Sequence, residues 1–265
     1  MSPDASAAVG PAPKTRRRLE GPEARRRTRV GLALSAAIIG AWAALHIYGV
    51  FFYPLAGPAA LAAPLYVAVL CWLSVGLFIV THDAIHGSLA PSLPALNGII
   101  GRLAVTLYAG FSYEKLEAAH HRHHAAPGTG DDPDFSVKHP TKPGPWYWEF
   151  FTRYFGLRPL LFVHAVVGTY VLLLGANYLN VVVFYGVPAI ASSFQLFYFG
   201  TYLPHRYEAD APFVDQHRTR TSGYSVLASL LSCYHFGYHH EHHLFPYEPW
   251  WRLPARRADV APASA

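Results

Sequence analysis

Charged residues are scarce in this 265-residue chain, at 14%, whereas hydrophobic residues make up 52%. A soluble domain carries about 25% charged residues, so an ordinary soluble globule and an intrinsically disordered chain are both disfavoured. The only two cysteines, Cys71 and Cys233, exclude a disulfide scaffold and a site of several thiolates for zinc or an iron–sulfur cluster. No G-x-G-x-x-G motif follows a strand-like segment, so the fingerprint of a dinucleotide-binding domain is missing.

The net positive charge of the chain comes from its first residues. Residues 1–29 hold eight basic and three acidic residues, which accounts for the whole net charge of +5. A polybasic stretch before an apolar segment predicts a cytoplasmic N-terminus and contact with anionic lipid. A nucleic-acid-binding arm would need a reading domain behind it, and the following sequence is apolar. We therefore predict a disordered basic tail at 1–29, one membrane domain at 30–255 and a flexible tail at 256–265.

Four apolar segments are long enough, or nearly so, to cross the hydrocarbon core, which takes about 20 helical residues. Residues 95–111 are also apolar, but Arg102 near their middle favours an interfacial or re-entrant helix. The predicted fold is an all-α integral membrane protein, with four transmembrane helices in two hairpins and a cytoplasmic cap. The predicted spans are residues 30–53, 59–80, 160–176 and 178–203.

A cytoplasmic N-terminus fixes the side on which the polar segments lie. The first hairpin returns to the cytoplasm just before His82, and the second hairpin returns just before His205. Residues 112–159 connect the two hairpins on the same side. Every dense group of histidines is therefore predicted to lie in the cap, on one face of the membrane.

The chain has 16 histidines, and eight of them form three clusters with helical spacing. Residues three or four positions apart lie on one face of a helix, so each cluster presents its imidazoles together. Zinc takes four ligands, or three and a water in catalytic sites, whereas neutral imidazole also suits iron and copper. Eight nitrogens therefore indicate two metal ions with open positions, and a pair of irons that reduces dioxygen fits best. The clusters are His82 and His86; His120, His123 and His124; and His239, His242 and His243.

Two more histidines are candidates either for the ligand set or for positions just beside the ligands. His205 ends the fourth span on the metal side, and His235 stands one helical turn before His239. Acidic residues beside the clusters are predicted to orient the ligands, because a metal-bound imidazole usually donates its other N–H to a carboxylate. For Asp131 an ordinary polar turn over residues 128–134 explains the sequence equally well. The acidic candidates are Asp83, Asp131 and Asp134, with Asp132 and Glu241 also placed for this role.

The remaining histidines are assigned other positions. On a helix, His121 and His240 are turned by about 100° from their neighbours and are predicted to lie beside the ligands or face solvent. Within the spans, His46 and His164 are predicted to be packed. The last two, His139 and His217, are predicted at the surface.

Extended motifs around these histidines are more specific than the histidine spacing. Over about residues 35–255 the chain resembles the bacterial β-carotene ketolases, which belong to the membrane di-iron superfamily of fatty-acid desaturases, hydroxylases and carotenoid oxygenases. The motifs are His82–Pro91 (HDAIHGSLAP), Tyr108–Tyr113 (YAGFSY), Asp132–Phe135 (DPDF), Thr201–Arg206 (TYLPHR), His235–His243 (HFGYHHEHH) and Pro249–Pro254 (PWWRLP).

The resemblance implies an activity and its cofactors. It implies two non-haem irons, O2, an external electron donor such as ferredoxin, and a location in the bacterial inner membrane. The implied reaction converts β-carotene through echinenone to canthaxanthin by two hydroxylations at C4 and a dehydration, and zeaxanthin to astaxanthin is a further possibility. Because carotenes reside in the bilayer, aromatic side chains are expected to line the substrate path, with residues 146–154 in the interfacial belt. The expected lining residues are Phe194, Phe197, Tyr198, Phe199 and Tyr202.

Other functions remain open at this point. A fatty-acid desaturase or hydroxylase, or a carotenoid 3-hydroxylase, would use the same metal site. An intramembrane zinc protease is a weaker match, because His82-Asp83-x-x-His86 only mimics H-E-x-x-H and leaves six histidines unused. A metal transporter would place ligands near the middle of its spans, where only His46 and His164 lie.

Overall fold

The computed structural model describes residues 19–260, and within this range helices are the only extended regular elements. An isolated antiparallel bridge joins Thr221 and Tyr238. The all-α prediction is therefore confirmed. The helices are α1 (Gly21–Phe51), α2 (Gly57–His86), α3 (Pro94–Ala109), α4 (Tyr113–Ala125), α5 (Pro143–Tyr154), α6 (Leu157–Leu173), α7 (Tyr178–His205), α8 (Val226–Cys233), α9 (His239–Leu244) and α10 (Leu253–Arg257).

Three helices in residues 19–260, namely α1, α2 and α7, are long and apolar enough to cross a membrane. The predicted spans 59–80 and 178–203 fall within α2 and α7, and the predicted span 30–53 falls on α1 except for its last two residues. The other predicted span falls on α6, which passes the same test only together with α5, and the two helices meet at an angle of 80°. The structure therefore has three candidate spans, or four if the bent pair counts as one. Residues 95–111 form α3, which is not a candidate span.

The helical region extends into both predicted tails. Helix α1 begins at Gly21, with a proline in its first turn, where the missing N–H costs nothing. Arg27 is buried and pairs with Glu248 at 3.1 Å, so it does not belong to a disordered tail. At the other end, Arg256 pairs with the same Glu248 at 2.6 Å. The remaining parts of the predicted tails, residues 1–18 and 261–265, lie outside the described residues.

Helix α2 is the centre of the helical bundle. Its most apolar 18-residue window is 56% buried, against 28% for α1 and 39% for α7, because α1, α3 and α7 all pack against it. The last residue of α2 is His86, and Gly87 ends the helix in the left-handed conformation (φ 70°), which glycine adopts without steric cost. His82 and His86 therefore project from the final turns of the most buried of the three candidate spans.

Helix α4 carries the second histidine cluster and is fixed at its start by a capping residue. The Ser112 hydroxyl accepts a hydrogen bond from the backbone N–H of Lys115 at 3.4 Å, as a helix N-cap does. Gly110 ends α3 just before this cap with φ 69°, and a Cβ there would approach the Phe162 ring to 2.3 Å. The sharp turn at Gly110 thus sets α4 beside α2, with which it is in contact.

The last two histidine-bearing elements complete the site. Helix α7 ends at His205, after a π-helical turn over Tyr198–Tyr202, and such turns are frequent at functional sites. The short helix α9 carries the third cluster and is almost wholly buried. The ends of α2 and α7 therefore meet α4 and α9 at one end of the bundle.

Candidate metal centre and substrate cavity

Nine histidines converge at this end of the bundle in two groups of side-chain nitrogens. Within each group the candidate ligand nitrogens all lie within 4.8 Å of one another. Each group combines histidines from separate helices, so the tertiary fold creates them. The first group is His82, His86, His120, His124 and His242, and the second is His123, His205, His239 and His243.

In the first group the Nε2 atoms point at one another. The Nε2 atoms of His86 and His120 are 2.7 Å apart, and those of His124 and His242 are 3.0 Å apart. In the second group, the Nε2 atom of His243 lies 3.2 Å from that of His123 and 3.1 Å from that of His239. Several ring nitrogens facing one common point form a donor set for a metal ion.

His205 gives independent support for a metal in the second group. Its Nδ1 donates a hydrogen bond to the backbone carbonyl of Arg218 at 2.9 Å, which leaves Nε2 unprotonated. This Nε2 is buried and has no hydrogen-bond partner among the described residues. The His205 ring lies 4.7 Å from that of His123 and 4.9 Å from that of His239, measured between centroids. An unpartnered buried lone pair is costly, and a metal ion would satisfy it.

Burial keeps most of these imidazoles neutral, which is the form that binds metal. The pKa values of four of these histidines lie well below the usual value, namely those of His120, His124, His239 and His243. Burial is the largest cause of this lowering, and the neighbouring histidines add to it. Burial, with His123 contributing, lowers the pKa of His242 to about 3. Each of these imidazoles therefore keeps one ring nitrogen without a proton, and that nitrogen can bind a metal ion.

His123 differs because a carboxylate holds its second nitrogen. Its Nδ1 lies 2.9 Å and 3.0 Å from the two carboxylate oxygens of Asp132. Burial opposes the charged imidazolium, but the hydrogen bond and charge of Asp132 outweigh it and raise the pKa of His123. Asp132 also accepts backbone N–H bonds from Gly128 and Asp134, both at 2.8 Å. This carboxylate therefore fixes which nitrogen of His123 faces the metal group.

The predicted acidic residues have different surroundings. Asp131 is exposed, and its neighbour Asp132, which the sequence also placed for this role, is the aspartate that bonds to His123. Asp83 is buried and accepts the backbone N–H of Trp250 at 3.1 Å, with its other oxygen 3.5 Å from Nδ1 of His82. Glu241 is buried and accepts a hydrogen bond from Thr221 at 2.9 Å.

Asp134 stands between the metal centre and an apolar cavity. One of its oxygens lies 4.0 Å from Nδ1 of His123, and the other accepts a short hydrogen bond from the Tyr154 hydroxyl. Burial raises the pKa of Asp134 despite the opposing effect of His123. Both Asp134 and Tyr154 line the cavity.

His235 lies outside both nitrogen groups, contrary to the prediction from its spacing to His239. A helix would have placed the two side chains one turn apart, but α9 begins only at His239. Tyr234 and His235 both have positive φ values, of 46° and 66°, and they form the turn between α8 and α9. The His235 ring instead stacks against Tyr238, with 5.8 Å between centroids.

Four other histidines also lie outside the nitrogen groups. His240 is buried and bonds to the Thr219 hydroxyl at 2.8 Å, whereas His121 is exposed. His46 is packed as predicted, stacked on Trp42 and bonded to Tyr170. His164 is exposed on α6, contrary to the prediction that it is packed.

An apolar cavity of about 330 Å³ leads to the metal centre. His82 and His120 of the first nitrogen group line it, as do His123 and His239 of the second. Gly186 and Ile190 of α7 also line it, and both are exposed at the outer surface of the helix. The cavity therefore extends along α7 to residues that are exposed on its outer surface.

The aromatic lining of this cavity differs from the expected set. The face of α7 that lines it carries Ala189, Ser193, Leu196 and Gly200, which recur at helical spacing. The expected aromatic residues lie on other faces of α7, where Phe197 and Tyr202 pack around Trp146. Apart from Tyr185 of α7, the aromatic residues that line the cavity come from α2, α3, α5 and the loops: Phe78, Tyr108, Phe111, Phe150, Phe151, Tyr154, Phe155 and Phe236.

Replacing Asp132 with asparagine is expected to weaken metal binding by about 10- to 100-fold, the usual effect of removing a carboxylate that orients a ligand. The amide keeps the shape of the side chain but cannot hold the His123 imidazole with a negative charge. Metal content after dialysis against a graded chelator measures the change. Asp131→Asn is the matched control, because that side chain is exposed one residue away. Equal metal retention in both variants would contradict the role of Asp132.

The sequence of this chain is similar to one protein family and to several named proteins. The model of the fatty acid desaturase family matches residues 56–170 and 157–265, which include both nitrogen groups. A β-carotene ketolase of Paracoccus sp. (strain PC1) is 49% identical over 231 residues, covering 87% of this chain and 93% of the relative. A β-carotene ketolase of Paracoccus sp. (strain N81106 / MBIC 01143) is 48% identical with the same coverage. A zeaxanthin 4-ketolase of Chlamydomonas reinhardtii is 40% identical, covering 88% of this chain and 55% of the relative.

Proposed function

This chain belongs to the fatty acid desaturase family, and we propose that it is a membrane carotenoid ketolase that oxidises the C4 methylene of a β-ionone ring to a ketone. The names of its relatives support β-carotene as the substrate, and we propose canthaxanthin as the product with echinenone as the intermediate carotenoid. The relative named zeaxanthin 4-ketolase makes a 3-hydroxylated ring the second substrate to test.

The observation that carries this proposal is an apolar cavity that ends on both nitrogen groups. Among the described residues that line it there is no lysine or arginine, so the cavity offers no partner for the acidic headgroup of a fatty-acyl substrate. A carotene ring is a hydrocarbon and needs none. The cavity volume of about 330 Å³ suits one ring and the first part of a polyene, and the rest of the molecule would remain in the bilayer.

We propose that the two nitrogen groups hold two iron ions. The five histidines of the first group and the four of the second fit this assignment, because imidazole is a good ligand for iron and several positions would remain open. The unpartnered Nε2 of His205 fits a ligand of the second ion. When bound, such a pair of irons supplies the reduction of O2 and the oxidation of the allylic C–H bond at C4.

The residues of the chain position the substrate and exclude water. Phe236 packs against His82 with 4.6 Å between ring centroids, so it separates the first nitrogen group from bulk water on the cavity side. Thr201 and Asp134 are polar groups in the lining that lie near the second group. We propose that both side chains contact the oxygen that appears at C4.

The proposed setting is the bacterial inner membrane, with the metal centre on the cytoplasmic side. The apolar helices and the polybasic stretch in residues 1–29 support this orientation. Each hydroxylation consumes two electrons with one O2, and the sequence contains no motif for a flavin or dinucleotide. We propose that a ferredoxin-type protein supplies the electrons from the cytoplasm.

Pigment analysis of a β-carotene-producing bacterium that expresses this chain tests the proposal. Chromatography and mass spectrometry are expected to detect echinenone and canthaxanthin, because the ring enters the cavity without a headgroup. The fatty-acid profile of the same cells is expected to stay unchanged.

Two other outcomes would contradict the proposed reaction. Zeaxanthin as the product would show that the oxidised carbon of the ring is C3 and not C4. Unchanged β-carotene together with new unsaturated or hydroxylated fatty acids would assign the cavity to acyl chains.

A further inference from the structure

Four cationic side chains line a groove outside the metal centre that the proposed reaction does not use. The groove has a volume of about 820 Å³ and lies between α4 and the junction of α5 with α6. All four side chains are exposed, and none forms an ion pair with a carboxylate within residues 19–260. No aspartate or glutamate is among the described residues of the lining. The four are Lys115, Arg122, Arg153 and Arg158.

The sequence of α4 explains why a groove forms there. Lys115 and Arg122 are seven residues apart and share one face of the helix, and Ala118 and Ala119 lie between them on that face. Small alanine side chains leave a depression between the two long cations. The acidic Glu114 of the same helix points elsewhere and pairs with Arg102 at 2.9 Å.

The other wall of the groove combines positive charge with exposed leucines. Arg153 and Arg158 flank the break between α5 and α6, the bent pair that would count as a fourth span. Leu157 and Leu161, next to these arginines, are 70% and 59% exposed and also line the groove. Exposed leucines on a candidate membrane segment fit acyl chains, and the arginines beside them fit a phosphate at the depth of the headgroups.

We propose that this groove binds the headgroup of an anionic phospholipid. The four unpaired cations contact its phosphate and neighbouring anionic headgroups, and its acyl chains lie along Leu157 and Leu161. A soluble acidic protein fits less well, because the site is concave and its leucines favour hydrocarbon over water. The phospholipid lies outside the substrate cavity, since Phe111, Leu116 and Tyr154 line both spaces and form the wall between them.

Lipid titration of the purified full-length chain tests this proposal. In a neutral detergent, native mass spectrometry counts bound phosphatidylglycerol against phosphatidylcholine with the same acyl chains. We expect phosphatidylglycerol to bind preferentially, and Arg153→Gln/Arg158→Gln to weaken it by about 30-fold, since each cation near an anionic lipid contributes about fivefold. Phosphatidylcholine binding is expected to be equal in both proteins. The readout needs no turnover, so it stands apart from the proposed ketolase activity.

The matched control is Lys138→Gln/Lys142→Gln, which removes two exposed positive charges outside the groove. This control is expected to bind phosphatidylglycerol as the unmodified chain does. Equal weakening in both double variants would overturn the proposal, because it would show a general effect of surface charge. Unchanged lipid binding in Arg153→Gln/Arg158→Gln would also overturn the proposal. If that variant instead lost the binding of a reduced [2Fe–2S] ferredoxin, the groove would be assigned to a protein partner.

Discussion

Replacing His123 with alanine is expected to reduce ketone formation to below about 1% of that of the unmodified chain. Losing a carboxylate that orients a ligand costs about 10- to 100-fold, and this variant removes the ligand itself together with its bond to Asp132. The second nitrogen group would keep three of its four histidines, so bound iron is expected to fall from two ions per chain towards one. Iron content of the purified chain and pigment analysis of the cells measure the two effects.

His164→Ala provides the matched control for this experiment. His164 is exposed on α6, and its ring bonds only to the Leu160 carbonyl at 2.8 Å within the described chain. The control is expected to keep both iron ions and full ketone formation. Both variants should appear in the membrane fraction at similar levels, because neither changes a candidate span of α1, α2 or α7. If His123→Ala still formed the ketone, His123 would not be a ligand of the metal centre.

Helical periodicity predicted the histidine clusters because it depends only on local sequence. The i, i+3 and i+4 positions of α4 do place His120, His123 and His124 at the metal end. The division into two groups did not follow from the sequence, since His123 joins the second group while His120 and His124 join the first. That division depends on how α4 is oriented between α2 and α9, and the histidine spacing contains no information about this orientation.

The errors in the predicted site have local physical causes. The spacing from His235 to His239 suits a helix, but the left-handed turn at Tyr234 and His235 interrupts it. Spacing alone also does not distinguish Asp131 from Asp132, because the loop conformation decides which of the two carboxylates meets His123. A signal was present in the D-D-P-D sequence, where Asp132 caps its own turn by accepting the N–H of Asp134.

The face of α7 that lines the cavity was also mispredicted, for a related reason. Aromatic residues were expected beside an apolar substrate, and span four is rich in them. The structure places mostly small residues there instead, and apart from Tyr185 of α7 the aromatic rings come from α2, α3, α5 and the loops. Small side chains on α7 leave the space that a ring requires, whereas aromatic residues on that face would fill it.

Replacing Ala189 with phenylalanine is therefore expected to block the substrate while leaving the metal centre intact. Ala189 lines the cavity on α7, between the exposed Gly186 and Gly200 near the metal end. A phenyl ring there would occupy space in a cavity of about 330 Å³ and hold the ionone ring away from the nitrogen groups. Because a displacement of 1 Å can reduce a rate by about 100-fold, we expect ketone formation to fall by at least about that factor.

The matched control is Val187→Phe, which adds a similar ring on an outward face of α7, where Val187 is 46% exposed. This variant is expected to keep its activity, since the added ring would contact lipid. Iron content separates the possible causes of a loss: Ala189→Phe should keep two ions per chain, whereas His123→Ala should not. Full ketone formation by Ala189→Phe would contradict this prediction. It would show that the ionone ring of the substrate reaches the metal centre by a route other than this cavity.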